Sequence, residues 1–201
     1  LLSDGVELPL VTASLEVRLG ETATTPGVSG VVDSLYGAVL LDIAASSSFA
    51  DRFCDRLVDL IALSVAQPET QWRLSMYRSG TATSPVRHIT ATLRSDANPN
   101  ELFDVLLRFR EEVLTRPVPV FPRVALAHCC GGKPRSEWEG ERHRPGEREL
   151  PAHQLFFDLG YNDLVDTSSF LREIDTWFAP IVRSFDITDS SGVLRSMDEV
   201  S

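Results

Sequence analysis

The sequence predicts a mixed α/β domain with a small central sheet flanked by helices. Three observations predict this class: short segments with strand patterns, long helical stripes of apolar residues, and an ordinary globular composition. Of the 201 residues, 43% are hydrophobic and 24% are charged, as in typical globular domains. A chain of this length buries a proper core. We expect one domain over residues 1–185 and a polar tail over residues 186–201.

The first third of the chain alternates between strand and helix patterns. Residues 14–20 alternate apolar and polar side chains, as a half-buried strand does, and residues 22–30 have the composition of a turn or bulged loop. Residues 38–43 form a nearly continuous apolar run, typical of a strand that is covered on both faces. The serines at 46–48 can cap a helix that runs to Gln67.

The middle of the chain predicts two strands and a second helix. The strands are expected over 72–77 and 86–93. Asn98 is a good N-cap for a helix that ends before Pro117. The proline-rich residues 116–123 are expected to be extended.

The last third is expected to be less regular. Residues 131–151 have the composition of a long loop, and residues 153–159 that of an edge strand. A last helix is expected to start near Ser169 and to end or kink at Pro180.

Charge and cysteine usage limit the classes of function. The net charge is −10, whereas nucleic-acid modules that act alone usually carry a basic surplus because they neutralise phosphates. If this domain works on DNA, other surfaces are expected to grip it. Three cysteines, two of them adjacent, predict no disulfide framework and favour the reducing cytoplasm. No apolar run approaches the roughly 20 residues that span a bilayer.

A degenerate nuclease centre is the leading interpretation of the acidic residues. A metal-dependent nuclease of the restriction-endonuclease-like class, PD-(D/E)xK, holds Mg²⁺ with acids on neighbouring strands and places a Lys two residues after the second acid. Asp33 and Asp42 occupy the acid positions, but Ala44 stands where the Lys is needed. An active alternative keeps Asp33, Asp42 and a further acid such as Glu16 as Mg²⁺ ligands, with a displaced basic residue.

The remaining chemical patterns are weak. His128, Cys129, Cys130, His143 and His153 do not have the spacing of a structural zinc site, so a helix end with buried Cys and exposed His is favoured. No phosphate-binding loop or Gly-x-Ser-x-Gly motif occurs. The basic residues of the 131–151 segment alternate with glutamates, as in a solvated loop. Contacts with a partner or DNA are expected there from Arg135, Trp138, Arg142 and Arg144.

Several segments, in order, resemble the C-terminal domain of the RecC family, the gamma subunit of exodeoxyribonuclease V, in its actinobacterial form. The resemblance covers roughly residues 15–185 and rests on Leu57–Pro68 followed by Trp72-Arg73, on Arg116–Arg123, on Glu137–Gly140, on Gly146–Arg148, on Gln154–Phe157 and on Ala179–Val182. The sequence departs from the family pattern most in its first strands.

The resemblance implies a function. RecC-like subunits carry a nuclease-like fold that has lost its metal ligands, hold RecB-like and RecD-like partners together, and guide unwound DNA. It therefore implies a non-catalytic scaffold domain with no cofactor of its own, with Mg²⁺ and ATP used only by the partner subunits, in a cytoplasmic complex that repairs double-strand breaks by recombination. An unrelated α/β protein-interaction module is the other alternative, and self-association of the isolated fragment is a further expectation.

Overall fold

A mixed six-stranded sheet forms the centre of the structure. The computed structural model describes residues 13–19, 28–44, 49–78, 86–140, 145–157, 159–166 and 169–190. In these residues the strands follow one another across the sheet in chain order: β1 (Ala13–Leu19), β2 (Val28–Tyr36), β3 (Val39–Ala44), β4 (Arg73–Arg78), β5 (Arg87–Leu93) and β6 (Phe185–Asp189). β3 and β4 are parallel, and the other neighbouring pairs are antiparallel. The predicted mixed α/β class is confirmed.

Helix α1 (Phe49–Ala66) makes the crossover that two parallel strands require. It lies between β3 and β4 in the chain, and its apolar stripe is buried as predicted, with Phe53, Leu60 and Ile61 fully covered. The side chains of the sheet that lie under α1 define the α1 face; they include the buried residues Leu40, Asp42, Leu74, Met76, Ile89 and Ala91. One layer of the core therefore lies between this helix and this face, and the core continues into the helices that follow.

The described residues also contain other helices, some of which pack on α1 and one of which contacts the sheet. They are α2 (Pro99–Thr115), α3 (Pro122–Cys129), α4 (Pro134–Glu139), α5 (Pro151–Phe157), α6 (Tyr161–Asp166), α7 (Phe170–Glu173) and α8 (Ala179–Arg183). A 3-10 turn covers Glu147–Glu149, and a π-helical segment, Ile174–Phe178, joins α7 to α8. Asn98 caps α2 as predicted, since its side chain accepts a hydrogen bond from the Asn100 amide. None of the helices in the described residues is both long and apolar enough to cross a membrane.

Five expectations need correction. β2 begins at Val28, inside the segment 22–30 that was expected to be a turn or bulged loop. The predicted edge strand over 153–159 is helix α5, in which Phe157 packs against Phe121 while Leu155 and Phe156 point outward. Helix α4 and the 3-10 turn Glu147–Glu149 lie within the predicted long loop. Pro122 starts helix α3 instead of continuing an extended segment, because proline is well suited to the first turn of a helix. β6 brings residues 186–189, which were expected to belong to the polar tail, into the sheet.

The closing helix follows the prediction more closely. Phe170 and Ile174 are buried, and the helix is interrupted before Pro180 by the π-helical segment. Proline removes a backbone donor and forces the helix to deviate.

Candidate functional site

The hairpin of β2 and β3 brings the two predicted acids together. Gly37, with φ of 60°, forms the turn, and Leu35 pairs with Leu40. Continuing that register would place Asp33 opposite Asp42. The ladder ends there instead, because β2 carries one extra residue relative to β1 between Val32 and Leu35, and Ser34 adopts a φ of 61°. This bulge turns Asp33 toward α1.

Asp42 lies under helix α1 with its carboxylate buried to 3% exposure. Arg52 binds it side-on, donating from Nε to Oδ2 at 3.2 Å and from Nη2 to Oδ1 at 2.5 Å. Arg56, one turn further along α1, donates from Nε to Oδ2 at 3.1 Å. Both carboxylate oxygens of Asp42 therefore accept hydrogen bonds from guanidinium groups, which are stronger than bonds between neutral groups.

Arg56 connects the two acids. Its Nη2 lies 3.5 Å from Asp33 Oδ1, and its Nη1 donates to Asp59 Oδ2 at 2.7 Å. Burial opposes the charge of Arg56, but the hydrogen bonds to Asp59 and Asp42 prevail and raise the pKa of Arg56 above its usual range. Burial raises the pKa of Asp59, against the pull of Arg56.

These five residues, Asp33, Asp42, Asp59, Arg52 and Arg56, form the arginine–acid cluster. Three carboxylates and two guanidinium groups give it a formal charge of −1. A divalent cation needs free carboxylate oxygens converging on one point. Here the oxygens of Asp42 are engaged by two permanent cations, so the residues present do not fit a Mg²⁺ site. The guanidinium groups in turn are directed at acids of the chain, which also disfavours an anion.

The other predicted positions of the centre add no ligand. Ala44 lies two residues after Asp42 on β3 and pairs with Arg78 of β4. β3 therefore supplies no lysine at the position where the nuclease pattern needs one. Glu16 lies on β1 opposite Val31, on the far side of β2 from β3. Its side chain lies outside the described part of the structure.

Sequence reasoning missed Arg52 and Arg56. Both lie outside the apolar stripe of α1, where charged residues usually meet solvent. The available signal was their spacing of four residues on the helix that directly follows Asp42.

The predicted contact residues of the 131–151 segment differ in their environments. Trp138 is fully buried by the chain itself, with its ring 4.5 Å from that of Phe121 and its Nε1 donating to the Leu159 carbonyl at 2.9 Å. It therefore needs no partner to cover it, which corrects the expectation of a contact residue. Arg135 is half exposed and donates to Asn162. Arg142 and Arg144 lie outside the described residues.

A buried carboxylate holds the same segment against α3. Glu147 is 1% exposed and accepts the backbone amides of Arg123 at 3.1 Å and Val124 at 2.8 Å, at the first turn of α3. Burial raises the pKa of Glu147 to about 7, although both amides favour its ionised form. Gly146 fits beside it because a Cβ there would lie 2.1 Å from the Trp138 carbonyl oxygen. Residues 146 and 147 of the expected solvated loop thus support α3.

The adjacent cysteines lie where the sequence predicts them, at a helix end with buried Cys and exposed His. Cys129 and Cys130 are buried at the end of α3, next to exposed His128. Burial raises the pKa of Cys129 to about 11 and that of Cys130 to about 12, so both thiols stay protonated at neutral pH. In the described residues, no three His, Cys, Asp or Glu side chains are placed to hold a metal ion; His143 lies outside them.

Comparisons with known proteins add no assignment: neither the models of protein families nor the curated proteins match this sequence.

Proposed function

We propose that the chain is a non-catalytic scaffold domain of a RecC-like gamma subunit, in an ATP-dependent helicase–nuclease complex that processes DNA ends. The observation that carries this proposal is the arginine–acid cluster. Two acids lie on neighbouring strands, as the proposal requires, and Arg56 of α1 contacts both of them while Arg52 binds Asp42. A core of that class that has exchanged its metal for guanidinium groups accounts for this geometry and for Ala44.

The mixed sheet supports the finer fold assignment. The acids lie on the antiparallel pair β2–β3, and β3 is followed by α1 and the parallel strand β4. This order places a helix directly over the acid pair. The same arrangement would position catalytic groups in an active enzyme, and here it positions Arg52 and Arg56.

The arginine–acid cluster also disfavours the alternative of an active nuclease. Cleavage would require Mg²⁺ to displace two arginines from Asp42, whose side chain is only 3% exposed. It would also require a base or lysine that β3 does not supply at Ala44. We therefore assign any Mg²⁺ and ATP chemistry to RecB-like and RecD-like partner subunits, in the cytoplasm, and contact with DNA to the assembled complex.

The proposal is tested by activity and by assembly. Purified chain, incubated with linear duplex DNA and Mg²⁺ or Mn²⁺, is expected to release no acid-soluble nucleotides. The same chain is expected to bind the RecB-like and RecD-like subunits of its own source in size-exclusion chromatography. DNA degradation that disappears in Asp42→Ala, but persists in the surface control Asp96→Ala, would overturn the scaffold assignment. Failure of the wild-type chain to join the two subunits would overturn the RecC-like assignment.

A further inference from the structure

Residues 145–157, called the clasp below, are tied to α3 by two side chains that cross. Glu147 accepts the backbone amides of Arg123 and Val124, and Arg123 donates in return from Nη2 to the Pro145 carbonyl at 3.0 Å. The N-cap residue of α3, Phe121, offers no side-chain acceptor. The carboxylate of Glu147, 23 and 24 positions further along the chain, therefore acts as the cap of this helix.

The clasp covers two buried aromatic rings. The ring of Phe121 lies 4.7 Å from that of His153 and 5.4 Å from that of Phe157, and the ring of Trp138 lies 6.4 Å from that of His153. His153 is fixed to the same point, because its Nδ1 donates to the Glu147 carbonyl at 2.8 Å. Opening of the clasp would therefore remove the cover from Phe121 and Trp138.

The outer side of the clasp is weakly anchored. Leu150, Leu155 and Phe156 are exposed, Leu155 to 75%. The 3-10 turn that carries Glu147 contacts α4 and α5. Segments that bury few of their apolar side chains open locally at a lower free energy than the whole domain unfolds. The clasp thus has the features of a segment that opens while the sheet stays folded.

Glu147 is the titrating group at the base of the clasp. Burial raises the pKa of Glu147 to about 7, and Asp51 adds to this effect, whereas the two amides and Arg123 oppose it. When the clasp opens, water solvates the carboxylate, and its pKa returns to the ordinary value of 4.5. The contribution of Glu147 to the closed form is therefore complete below pH 4.5 and is lost as the pH rises through 7. The titratable and charged side chains around this point are Asp51, Cys54 and Asp55 of α1, Arg123 of α3, Glu137 of α4, His153 of α5, and the neighbouring Arg148 and Glu149.

We propose that the clasp is a pH-sensitive cover over Phe121 and Trp138, which is closed while Glu147 carries a proton and opens more often once Glu147 is ionised. Between pH 6 and pH 8 the equilibrium constant for opening is expected to rise about tenfold, because the closed form holds the proton up to about pH 7 and the open form releases it near pH 4.5. The effect is local: the aromatic rings become accessible while the sheet keeps its structure.

Hydrogen exchange of the backbone amides at pH 6 and pH 8 tests this cover. The reporters are the amides of Arg123 and Val124 and that of Leu150, which donates to the Glu147 carbonyl. After correction for the intrinsic exchange rate at each pH, their protection is expected to fall about tenfold from pH 6 to pH 8. At both pH values these amides are expected to exchange faster than those of β4. Equal protection of the two sets would mean that the clasp opens only when the whole domain unfolds, and constant protection of the clasp amides would mean that Glu147 does not control it; either result overturns the proposal.

Three variants assign the effect to Glu147. Glu147→Gln keeps an acceptor oxygen but does not titrate, so the clasp amides are expected to be equally protected at pH 6 and pH 8. The matched control is Glu149→Gln, at an exposed carboxylate two positions later that accepts the Gly146 amide, and it is expected to keep the tenfold fall. Asp51→Asn serves if Glu147→Gln fails to fold: it removes a negative charge that raises the pKa of Glu147, so its fall is expected to be smaller than tenfold. A tenfold fall that persists in Glu147→Gln, or in Asp51→Asn where only that variant folds, would assign the pH dependence to another group and overturn the proposal.

Discussion

Asp42→Asn tests whether the arginine–acid cluster stabilises the fold. The carboxylate is 3% exposed and accepts three hydrogen bonds from two guanidinium groups. Asparagine keeps one acceptor oxygen and directs an amide donor at an arginine. Breaking a buried ion pair costs about 3–5 kcal/mol. We expect less, because Arg52 is 43% exposed and can be hydrated, and because Arg56 keeps Asp33 and Asp59. The expected loss in free energy of unfolding is about 2–3 kcal/mol.

Urea denaturation followed by circular dichroism measures this loss, with an unchanged slope as the sign that the unfolding transition is the same. For a domain of this size the loss corresponds to a fall in Tm of roughly 5–10 °C. The matched control is Asp96→Asn, at a 75% exposed side chain 3.3 Å from Arg94, where a change of at most about 0.5 kcal/mol is expected. If Asp42→Asn loses no more than this control, the cluster is not a stabilising element and the reasoning fails.

Three further predictions concern the support of α3 and the cap of α2. Burial raises the pKa of Glu147 in the folded protein to about 7, against an ordinary value of 4.5. Between these two values the folded protein holds a proton on Glu147 that the unfolded chain releases. The free energy of unfolding therefore falls as pH rises from about 4.5 to 7, by up to about 3 kcal/mol from this group. Urea titrations at pH 5 and pH 8 should therefore show Glu147→Gln gaining stability relative to wild type at the higher pH; a constant difference would contradict the assignment. Gly146→Ala places a Cβ against backbone atoms and should lower the free energy of unfolding by about 3 kcal/mol or prevent folding. The control Gly30→Ala, at a glycine with open space around it, should change the free energy of unfolding little. Equal effects of the two substitutions would refute the close-packing argument. Asn98→Ala removes the cap of α2 and should cost about 1 kcal/mol, and no measurable loss in the same denaturation assay would show that the cap is dispensable.

The elements with strong local signals could be predicted from the sequence. The apolar run at 38–43 and the stripe of α1 reflect burial against neighbours that are close in the chain, so period alone identifies them. Helix α5 could not be identified this way, because its seven residues are too few to separate a helical period from strand alternation. β6 was missed because Asp186 and Thr188 look like a polar tail until the pairing of Phe185 and Ile187 with β5 is known.

The two acids of the candidate site could be predicted from local sequence signals, but their arginine partners could not. Asp33 and Asp42 could be placed on adjoining segments, since each lies in or beside an apolar run. Their arginine partners depend on where α1 crosses the sheet, which is a tertiary property. Glu147 gives no local signal at all: its burial depends on the amides of α3, whose residues lie 23 and 24 positions earlier.

The arginine–acid cluster also distinguishes two roles that Asp42 could have under the proposed function. A carboxylate left over from lost chemistry would be free to change, because nothing would depend on its charge. Asp42 is instead the point at which β3, β2 and α1 are joined, through Arg52 and through the link from Arg56 to Asp33. Asp42 shares Arg56 with Asp33 and Asp59, and the guanidinium groups offset the repulsion between these acids. Loss of Asp42 is therefore expected to appear first as a defect in folding, and only through it as a defect in the proposed assembly.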